Sequence, residues 1–379
     1  MPPDPQRGDA PIRILHVCES IKGGVSTSVN TLIGQQRADD TVEAAAAVCP
    51  TEHRQYLPNL ADEHAYQYAF PKRSRKTLRN LAACLRQAAA DFRPDVVHLH
   101  ASMPGAIGRL PGLLGRNRPA IVYCARGWSF LMDVPASKRR GYALIERLLS
   151  RRCEEIICIS KNEVEEAAAI GIAREKMQHI YNGFPADPPP AEPIDIPDAV
   201  QAARNAGRRV FFFLGRYDPQ KGLDILLQSF QSGDAPGLLL CAGGSVLGDH
   251  AMPFGPHAID VGWVTPGQIT TLLEHSDAMI VPSRWEGFGN VAAEAMRCSR
   301  AVFCSRVGGL QEVVEDGVTG RILDDFHPPH FANAVADLSD DDLRRMGQAG
   351  RERYLRLFTD DRLHRETIAV YRKAIAKRS

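Results

Sequence analysis

A strand that enters a helix through a glycine-rich loop is the feature of this chain that most restricts its fold. Residues 281–295, VPSRWEGFGNVAAEA, begin as the end of an apolar strand, break at Gly287 and Gly289, and resume as a helix. Glu286 therefore lies on the loop, and Glu294 lies in the helix about two turns later. Both carboxylates can face one pocket, beside backbone amides that the glycines leave open to an anion. The alternative is an ordinary turn with solvated glutamates.

Short apolar strands alternate with amphipathic helices in two successive parts of the chain. Strands are predicted at 12–18, 42–48, 95–100, 120–125, 156–160, 209–214, 238–242, 259–261, 278–281 and 301–305, and a strand with a turn at 179–184 closes the first series. Helices are predicted at 27–36, 72–92, 142–153, 161–170, 223–230 and 267–275. This alternation is typical of parallel sheets with right-handed crossovers. It predicts an α/β protein with two Rossmann-like domains that face each other across a cleft.

A proline-rich stretch at 185–197 interrupts the pattern and predicts an interdomain linker. We therefore expect an N-terminal acceptor-binding domain over residues 1–187 and a C-terminal donor-binding domain over residues 188–359. The basic C-terminal helix at 360–379 is expected to pack back on the first domain.

Composition excludes several classes of protein. Of 379 residues, 44% are hydrophobic and 24% are charged, as in a globular protein, and a net charge of +1 argues against a nucleic-acid partner. The nine cysteines include no CxxC pair and are expected to be reduced core residues. The N-terminus carries no apolar segment, so we expect no signal peptide and a cytoplasmic location.

The first half of the chain is the more basic one. Residues 1–190 contain 25 Lys and Arg against 20 Asp and Glu. Basic residues and leucines alternate over 138–152, which suggests a helix in peripheral contact with the anionic inner face of the cytoplasmic membrane. A solvated helix face is the alternative.

Other strand ends supply cations and a histidine. Arg216 and Lys221, on either side of Pro219, can converge on a diphosphate, although two solvated surface cations are the alternative. His100 ends a predicted strand and Arg126 follows another, so both are expected in the ligand crevice of the first sheet. Gly23 and Gly24 form a weaker signal of the same kind, since a plain strand-to-helix turn is the better explanation of a lone Gly-Gly pair.

These motifs resemble the retaining family-four nucleotide-sugar glycosyltransferases, which have the two-domain GT-B architecture. The most specific parts are GRYDPQKGLDILLQSF (215–230), VPSRWEGFGNVAAEAM (281–296) and RVGGLQEVVEDGVTGRIL (306–323). Two glutamates with seven residues between them are the signature of that family. IKGGVSTSV, VVHLHAS and the segment from CISKNEVEEAAAIG to IYNG are similar to its first-domain motifs.

The resemblance implies a role for each matching residue. Arg216 and Lys221 would bind the donor diphosphate, Glu294 the ribose hydroxyls and Glu286 the hydroxyls of the hexose. Backbone amides would assist the two cations at these positions: Gly24, Phe288, Gly289, Asn290 and Val291. The implied reaction transfers a hexose from a UDP- or GDP-sugar to a lipid-linked or polysaccharide acceptor of the cell surface, such as lipopolysaccharide. No metal or other cofactor is implied, because the cations neutralise the diphosphate.

One departure from the family concerns the strand end at 126–127. Many relatives have His-Gly where this chain has Arg126-Gly127, and that histidine commonly contacts the transferred sugar. Arg126 would instead bind a phosphate or an acidic group, or mark a different sugar preference, or be a surface arginine. His100 is equally an acceptor-site residue or a satisfied crevice histidine.

Other functions stay open from the sequence. They are a nucleotide-sugar epimerase of the same fold, a phosphorylase and a non-catalytic nucleotide-sugar-binding protein. A phosphorylase would need a pyridoxal lysine and a longer chain, and neither is evident.

Overall fold

The computed structural model describes residues 10–19, 24–115, 118–231, 235–245 and 252–378. The chain divides into two compact units, which we call unit 1 (1–185 with 359–379) and unit 2 (186–358). The predicted loop at 20–23 lies outside the described residues. Among the described residues, no helix is long and apolar enough to span a bilayer.

Unit 1 contains a seven-stranded sheet in which every pair of neighbouring strands is parallel. The strands are β1 Ile12–Val17, β2 Val42–Pro50, β3 Ala65–Tyr68, β4 Val96–His100, β5 Ala120–Cys124, β6 Glu155–Cys158 and β7 Met177–His179. Their order is β3-β2-β1-β4-β5-β6-β7. The helices are α1 Gly24–Arg37, α2 Arg75–Phe92, α3 Ser102–Gly108, α4 Ala136–Leu149 and α5 Lys161–Ala169.

Both faces of this sheet are covered, so its strands are mainly apolar and buried, without the alternation of a half-exposed strand. All five residues of β4 and all five of β5 are buried. Local signals fix the ends of the covering helices. Ser74 caps α2 by accepting from the Thr77 amide at 3.2 Å, and the helix stops where Arg93 adopts a left-handed φ of 50°.

Unit 2 contains a six-stranded sheet that is also parallel. Its helices are α6 Asp198–Asn205, α7 Leu223–Gln228, α8 Pro266–Glu274, α9 Asn290–Arg297, α10 Leu310–Val313, α11 Pro328–Ala336 and α12 Asp340–Leu357. The strands are β8 Arg209–Arg216, β9 Gly237–Gly244, β10 Ala258–Gly262, β11 Ala278–Val281, β12 Ala301–Ser305 and β13 Gly320–Leu323, in the order β10-β9-β8-β11-β12-β13. The predicted α/β class with two Rossmann-like domains is confirmed.

The last helix, α13 (Asp360–Arg378), belongs to unit 1 although it follows unit 2 in the chain. Its Tyr371 hydroxyl contacts His98 Nδ1 at 2.7 Å inside the first sheet, and Asp360 accepts from the Gln35 side chain at 2.8 Å. Unit 1 is therefore discontinuous in sequence.

Some elements differ from the sequence predictions. The helix predicted at 142–153 is observed as α4. It begins earlier, at Ala136, because the polar run before residue 142 is helical as well. It also ends earlier, at Leu149. The strand predicted from His179 is observed as β7, which ends at that residue, whereas β3 and β13 have four residues each and were not predicted. Such short strands are fixed by their neighbours in the sheet and not by a pattern of their own.

Candidate active site

Two loops at the carboxyl ends of β8 and β11 are hydrogen-bonded to each other in unit 2. The Arg284 amide donates to the Gln220 carbonyl at 2.8 Å, and the Gln220 side chain donates to the Trp285 carbonyl at 3.2 Å. The Arg284 guanidinium also binds both carboxylate oxygens of Asp224, at 2.8 and 2.7 Å. These contacts fix the loop after β8 relative to the loop after β11.

A glycine permits the close approach of these loops. Gly222 has a φ of +70°, and a Cβ atom at this position would lie 2.0 Å from the Pro282 carbonyl oxygen. Only glycine combines a left-handed backbone with that contact. The glycine after Lys221 therefore sets the position of the lysine.

Lys221 and Glu286 form an ion pair between the two loops. Their side chains are 18% and 10% exposed, respectively. The Ser283 hydroxyl also donates to Glu286 Oε1, at 3.1 Å. The structure thus brings together two of the residues that the sequence indicated, and it adds Ser283 as a donor that sequence reasoning missed.

Glu294 lies in α9, as predicted, and its carboxylate makes no hydrogen bond or ion pair with the described residues. Burial raises the pKa of its carboxyl above the ordinary value, and the positive charges of Arg297 and Lys221 oppose that rise. Lys221 therefore acts electrostatically on both glutamates. A largely buried carboxylate with free acceptor oxygens is suited to hold ligand hydroxyls.

The loop after β12 contacts the backbone of Glu286. The Gly309 amide donates to the Glu286 carbonyl at 3.2 Å, and a Cβ on Gly308 would lie 1.9 Å from that oxygen. Gly289 precedes α9 with a φ of +98°, and Asn290 and Val291 are its first residues. The amides that the resemblance assigned to the diphosphate thus lie at a helix start.

Phe288 and Arg216, two of the predicted site residues, have surroundings unlike those of Lys221 and Glu286. The Phe288 side chain is buried against Phe358, with ring centroids 5.4 Å apart, so only its backbone is placed for a ligand. Arg216 is half exposed and forms an ion pair with Asp218 at 3.0 Å and a hydrogen bond with Gln220 at 2.9 Å.

Trp263 is a candidate that sequence reasoning missed. It directly follows β10, is 68% exposed, and lies over Gly244, where a Cβ would come within 2.6 Å of its indole nitrogen. Gly244 is the strand partner of Arg216. An exposed aromatic ring therefore lies along the same sheet edge as Arg216, although no sequence pattern marks it.

The predicted residues of unit 1 lie at the carboxyl edge of its sheet. Gly24 is the first residue of α1, and His100 is the last of β4. Arg126 has a left-handed φ of 57° and donates from Nη1 to Asn182 Oδ1 at 2.9 Å. Its Nη2 lies 3.3 Å from His100 Nδ1. The structure therefore brings His100 and Arg126 together.

A directed chain of hydrogen bonds continues inward from Arg126. A guanidinium only donates, so His100 Nδ1 accepts and His100 Nε2 carries the proton. His100 Nε2 then donates to His16 Nδ1 at 2.9 Å, and His16 Nε2 donates to Gln36 Oε1 at 2.8 Å. Burial lowers the pKa of His16 to about 4 and holds the pKa of His100 well below its ordinary value. Both imidazoles are neutral at pH 7.

The same histidines have the spacing of a metal site. Ligand nitrogens of His16, His98 and His100 lie within 4.8 Å of one another. However, a cation here would lose the hydrogen bond between His16 and His100 and would face the charge of Arg126. The arrangement favours a hydrogen-bonded support for Arg126 over a metal centre.

Two families match consecutive parts of the chain. Residues 22–187 match the family described as Glycosyltransferase Family 4, and residues 197–353 match Glycosyl transferases group 1. An uncharacterized 41.2 kDa protein in the cps region of Klebsiella pneumoniae is 28% identical over 85% of this chain and 92% of its own length. Alpha-maltose-1-phosphate synthase of Mycolicibacterium smegmatis is 27% identical over 79% of this chain and 86% of its length.

Solved structures share the fold of the whole chain. Sucrose-phosphate synthase from Thermosynechococcus elongatus superposes with a TM-score of 0.78 at 20% identity, over 97% of this chain and 100% of the other. Anabaena Alr3699/HepE, in complex with UDP and glucose, superposes with a TM-score of 0.76 at 18% identity, over 94% and 98%.

Proposed function

This chain belongs to the family-four glycosyltransferases and has their GT-B fold, and we propose that it transfers a hexose from a UDP- or GDP-sugar with retention of the anomeric configuration. The observation that carries the proposal is the position of Lys221, which pairs with Glu286 and acts electrostatically on Glu294. One cation between two carboxylates suits a ligand that has a diphosphate between two sets of hydroxyls.

Lys221 and Arg216 would hold the diphosphate of the donor. Arg216 is the last residue of β8 and Lys221 lies on the loop that follows, and each is ion-paired, with Asp218 and Glu286 respectively. As the bond from the anomeric carbon to the diphosphate breaks, negative charge develops on the leaving oxygen. Fixed cations stabilise that charge without reorganising, which lowers the barrier.

Glu294 and Trp263 would bind the nucleoside. The Glu294 carboxylate can accept hydrogen bonds from two vicinal ribose hydroxyls. The exposed Trp263 ring, placed over the strand partner of Arg216, offers a stacking surface for the base. Glu286 would hold the hexose hydroxyls, with Ser283 and Lys221 orienting its carboxylate.

Retention is consistent with a displacement on one face of the sugar. The acceptor oxygen forms its bond to the anomeric carbon on the side from which the diphosphate leaves, and the leaving diphosphate accepts the proton of the acceptor hydroxyl. Catalysis then rests on positioning and charge stabilisation, without a protein base.

The exposed face of helix α4 supports the proposal that the acceptor is lipid-linked and lies at an anionic membrane surface. Leu144, Ile145 and Leu148 lie on one face of α4 and are 56%, 48% and 50% exposed. Exposed basic residues, such as Arg139 and Arg140, flank this apolar stripe. An exposed apolar face with flanking cations is typical of helices that lie in a membrane interface. We propose cell-surface polysaccharide biosynthesis, which the cps-region name of the Klebsiella relative supports.

The experiment is incubation of the purified protein with a panel of UDP- and GDP-sugars. Slow release of UDP or GDP from one donor is expected, and the anomeric configuration of the product, read by NMR, tests retention. Absence of turnover with every UDP- and GDP-sugar would overturn the donor assignment. Flotation with anionic vesicles at low salt tests the membrane contact, and failure to float would refute it.

A further inference from the structure

A run of exposed positive charge begins between β3 and α2, and we call residues 72–79 the basic segment. The segment has no acidic residue, and it contains five exposed cations: Lys72, Arg73, Arg75, Lys76 and Arg79. Since β3 is a parallel strand that ends at Tyr68, the basic segment begins at the carboxyl edge of the first sheet. This is the edge at which open α/β sheets bind their ligands.

The positive charges of the basic segment are only partly compensated. Arg73 forms an ion pair with Glu19, whose carboxylate is largely buried beside the end of β1. Glu52 is a second neighbouring carboxylate, and it accepts from the Phe70 amide at 3.3 Å. The other four cations of the segment make no ion pair with the described residues. Five cations thus have two neighbouring carboxylates, which leaves a surplus of three positive charges.

Two of these cations lie where they disfavour the folded state. Arg75 and Lys76 are the first two residues of α2, and the first turn of this helix contains no acidic residue. A helix N-terminus carries a partial positive charge, so cations destabilise it and anions stabilise it. The needs of the helix therefore do not explain these two residues, whereas a bound anionic group would offset their cost.

The side chains around these cations favour a polar polyanion over a bilayer. Helices that lie in a membrane interface combine cations with exposed apolar side chains, as α4 does. Within the described ranges, the basic segment exposes no large hydrophobic side chain, and its Leu78 is partly buried. A soluble chain with negative charges therefore suits this surface better than a membrane does.

We propose that the basic segment binds an acidic polysaccharide acceptor, an inference that rests on the proposed glycosyl transfer. Arg126 follows β5 at the same sheet edge and makes no ion pair with the described residues. In the order β3-β2-β1-β4-β5, β3 and β5 are four intervals apart, or about 19 Å at roughly 4.8 Å per interval. Cations spread over this distance match repeated negative charges along a chain, and not one small anion. Hexuronic-acid carboxylates and phosphodiesters share this chemistry.

Calorimetry with the full-length protein at constant ionic strength tests the proposal. The probes are an oligogalacturonate, a poly(glycerol phosphate) of equal length and a neutral malto-oligosaccharide. At least one acidic probe is expected to bind about tenfold or more tightly than the neutral probe. A preference between the two acidic probes identifies carboxylates or phosphodiesters as the recognised groups, and either preference supports the proposal.

Charge reversal tests the position of the site. Lys76→Glu is expected to weaken binding of the acidic probe about tenfold or more, because an attractive contact becomes a repulsive one. Arg86→Glu is the matched control, since Arg86 is an exposed cation of the same helix that makes no ion pair with the described residues. It lies further along α2, about 15 Å from Lys76 and beyond a Debye length of roughly 8–10 Å, so its affinity should change less than about twofold.

The melting temperature shows whether a loss of binding comes from misfolding. An acidic residue in the first turn of α2 complements the helix N-terminus, so Lys76→Glu should melt about 1–3 °C higher than the parent. Lys76→Ala removes the charge without adding another, and it should weaken binding about threefold. If Lys76→Glu melts lower than the parent, the affinity of Lys76→Ala decides between loss of a contact and misfolding.

The proposal is overturned if neither acidic probe binds, or if Lys76→Glu and Arg86→Glu lose affinity equally. Equal affinity for an oligothymidylate of the same charge would also overturn it, because the attraction would then extend to any polyanion. Retention on phosphatidylglycerol vesicles that falls in Lys76→Glu, without binding of either acidic glycan, would assign the basic segment to a membrane instead.

Donor turnover by the unmodified protein separates this proposal from the proposed function. Release of UDP or GDP without binding of an acidic glycan would refute the acceptor assignment alone. Binding of an acidic glycan by a protein that turns over no UDP- or GDP-sugar would refute the donor assignment and leave the glycan site in the basic segment.

Discussion

The ammonium group of Lys221 is ion-paired with the carboxylate of Glu286, 65 residues later in the chain. Both side chains are largely buried, so each compensates a charge that would otherwise be costly in the protein interior. The pair holds two loops of unit 2 in one arrangement. The proposed binding of a donor diphosphate to Lys221 would therefore require little rearrangement of these loops.

Removal of the lysine charge is expected to abolish most activity. In Lys221→Ala the leaving diphosphate loses a fixed cation, and kcat/KM is expected to fall by about 10²–10³. Release of UDP or GDP measures it. Arg306→Ala is the matched control, because Arg306 lies on the neighbouring loop and pairs with the exposed Asp324. Near-normal turnover in Lys221→Ala would refute the assigned site.

Glu294→Gln is expected to weaken donor binding and to stabilise the fold. The amide cannot accept charge-assisted bonds from both ribose hydroxyls, so nucleotide affinity should fall about 10–100-fold. Burial raises the pKa of the Glu294 carboxyl, so its ionisation destabilises the folded state increasingly as pH rises above the ordinary value of 4.5. The melting temperature of Glu294→Gln should therefore exceed that of the unmodified protein by a margin that grows from pH 4 towards pH 7. A margin that shrinks with pH would contradict the buried position.

Trp263→Ala is expected to weaken nucleotide binding about tenfold, since stacking of one base on an aromatic ring contributes about 1–3 kcal/mol. Trp263→Phe keeps a ring and should retain most of the affinity. Calorimetry with UDP and GDP measures both variants. Pyrophosphate, which lacks a base, should bind the variants and the unmodified protein equally, and a loss of pyrophosphate affinity would speak against stacking.

Gly222→Ala is expected to destabilise unit 2 by roughly 3 kcal/mol or more, because it combines a left-handed backbone with a contact at 2.0 Å. Gly207 has a similar φ of +68° with open space around it, so Gly207→Ala should cost only about 1–2 kcal/mol. Urea unfolding of both variants tests the contrast. Equal losses would mean that the Pro282 contact contributes nothing.

Acid is expected to destabilise unit 1 through its buried histidines. Burial lowers the pKa of His16 from 6.5 to about 4, so the unfolded chain binds a proton in that range while the folded one does not. The free energy of unfolding has its full value above pH 6.5 and decreases as the pH drops towards 4. His16 alone accounts for a decrease of roughly 3 kcal/mol. The comparison is urea unfolding of His16→Gln and the parent, followed through Trp128 after the other two tryptophans are replaced. A parent with the same pH dependence as His16→Gln would exclude this effect.

Much of the architecture was predictable because its signals are local. The run of apolar residues in β5 and the glycines at 287 and 289 predict a strand and a loop from neighbouring residues alone. For the same reason the loop position of Glu286 and the helical position of Glu294 are confirmed. Their roles towards a donor stay predictions.

Contacts between distant segments were not predictable in the same way. Alternation along β4 puts His98 and His100 on one face of the strand, but His16 joins them only because β1 pairs with β4, with His16 opposite His98. The ion pair of Lys221 with Glu286 likewise depends on the pairing of β8 with β11. Trp263 was missed because an exposed aromatic residue in a short loop belongs to no periodic pattern.

The return of α13 to unit 1 has a consequence for biosynthesis. Tyr371 reaches His98 only after residues 186–358 have left the ribosome. At about 5–20 residues per second, that interval is roughly ten to thirty seconds. Throughout this time the first sheet lacks one of its covering helices, and its apolar strands are exposed to other nascent chains. The half of the protein that is translated first is therefore the half that is completed last.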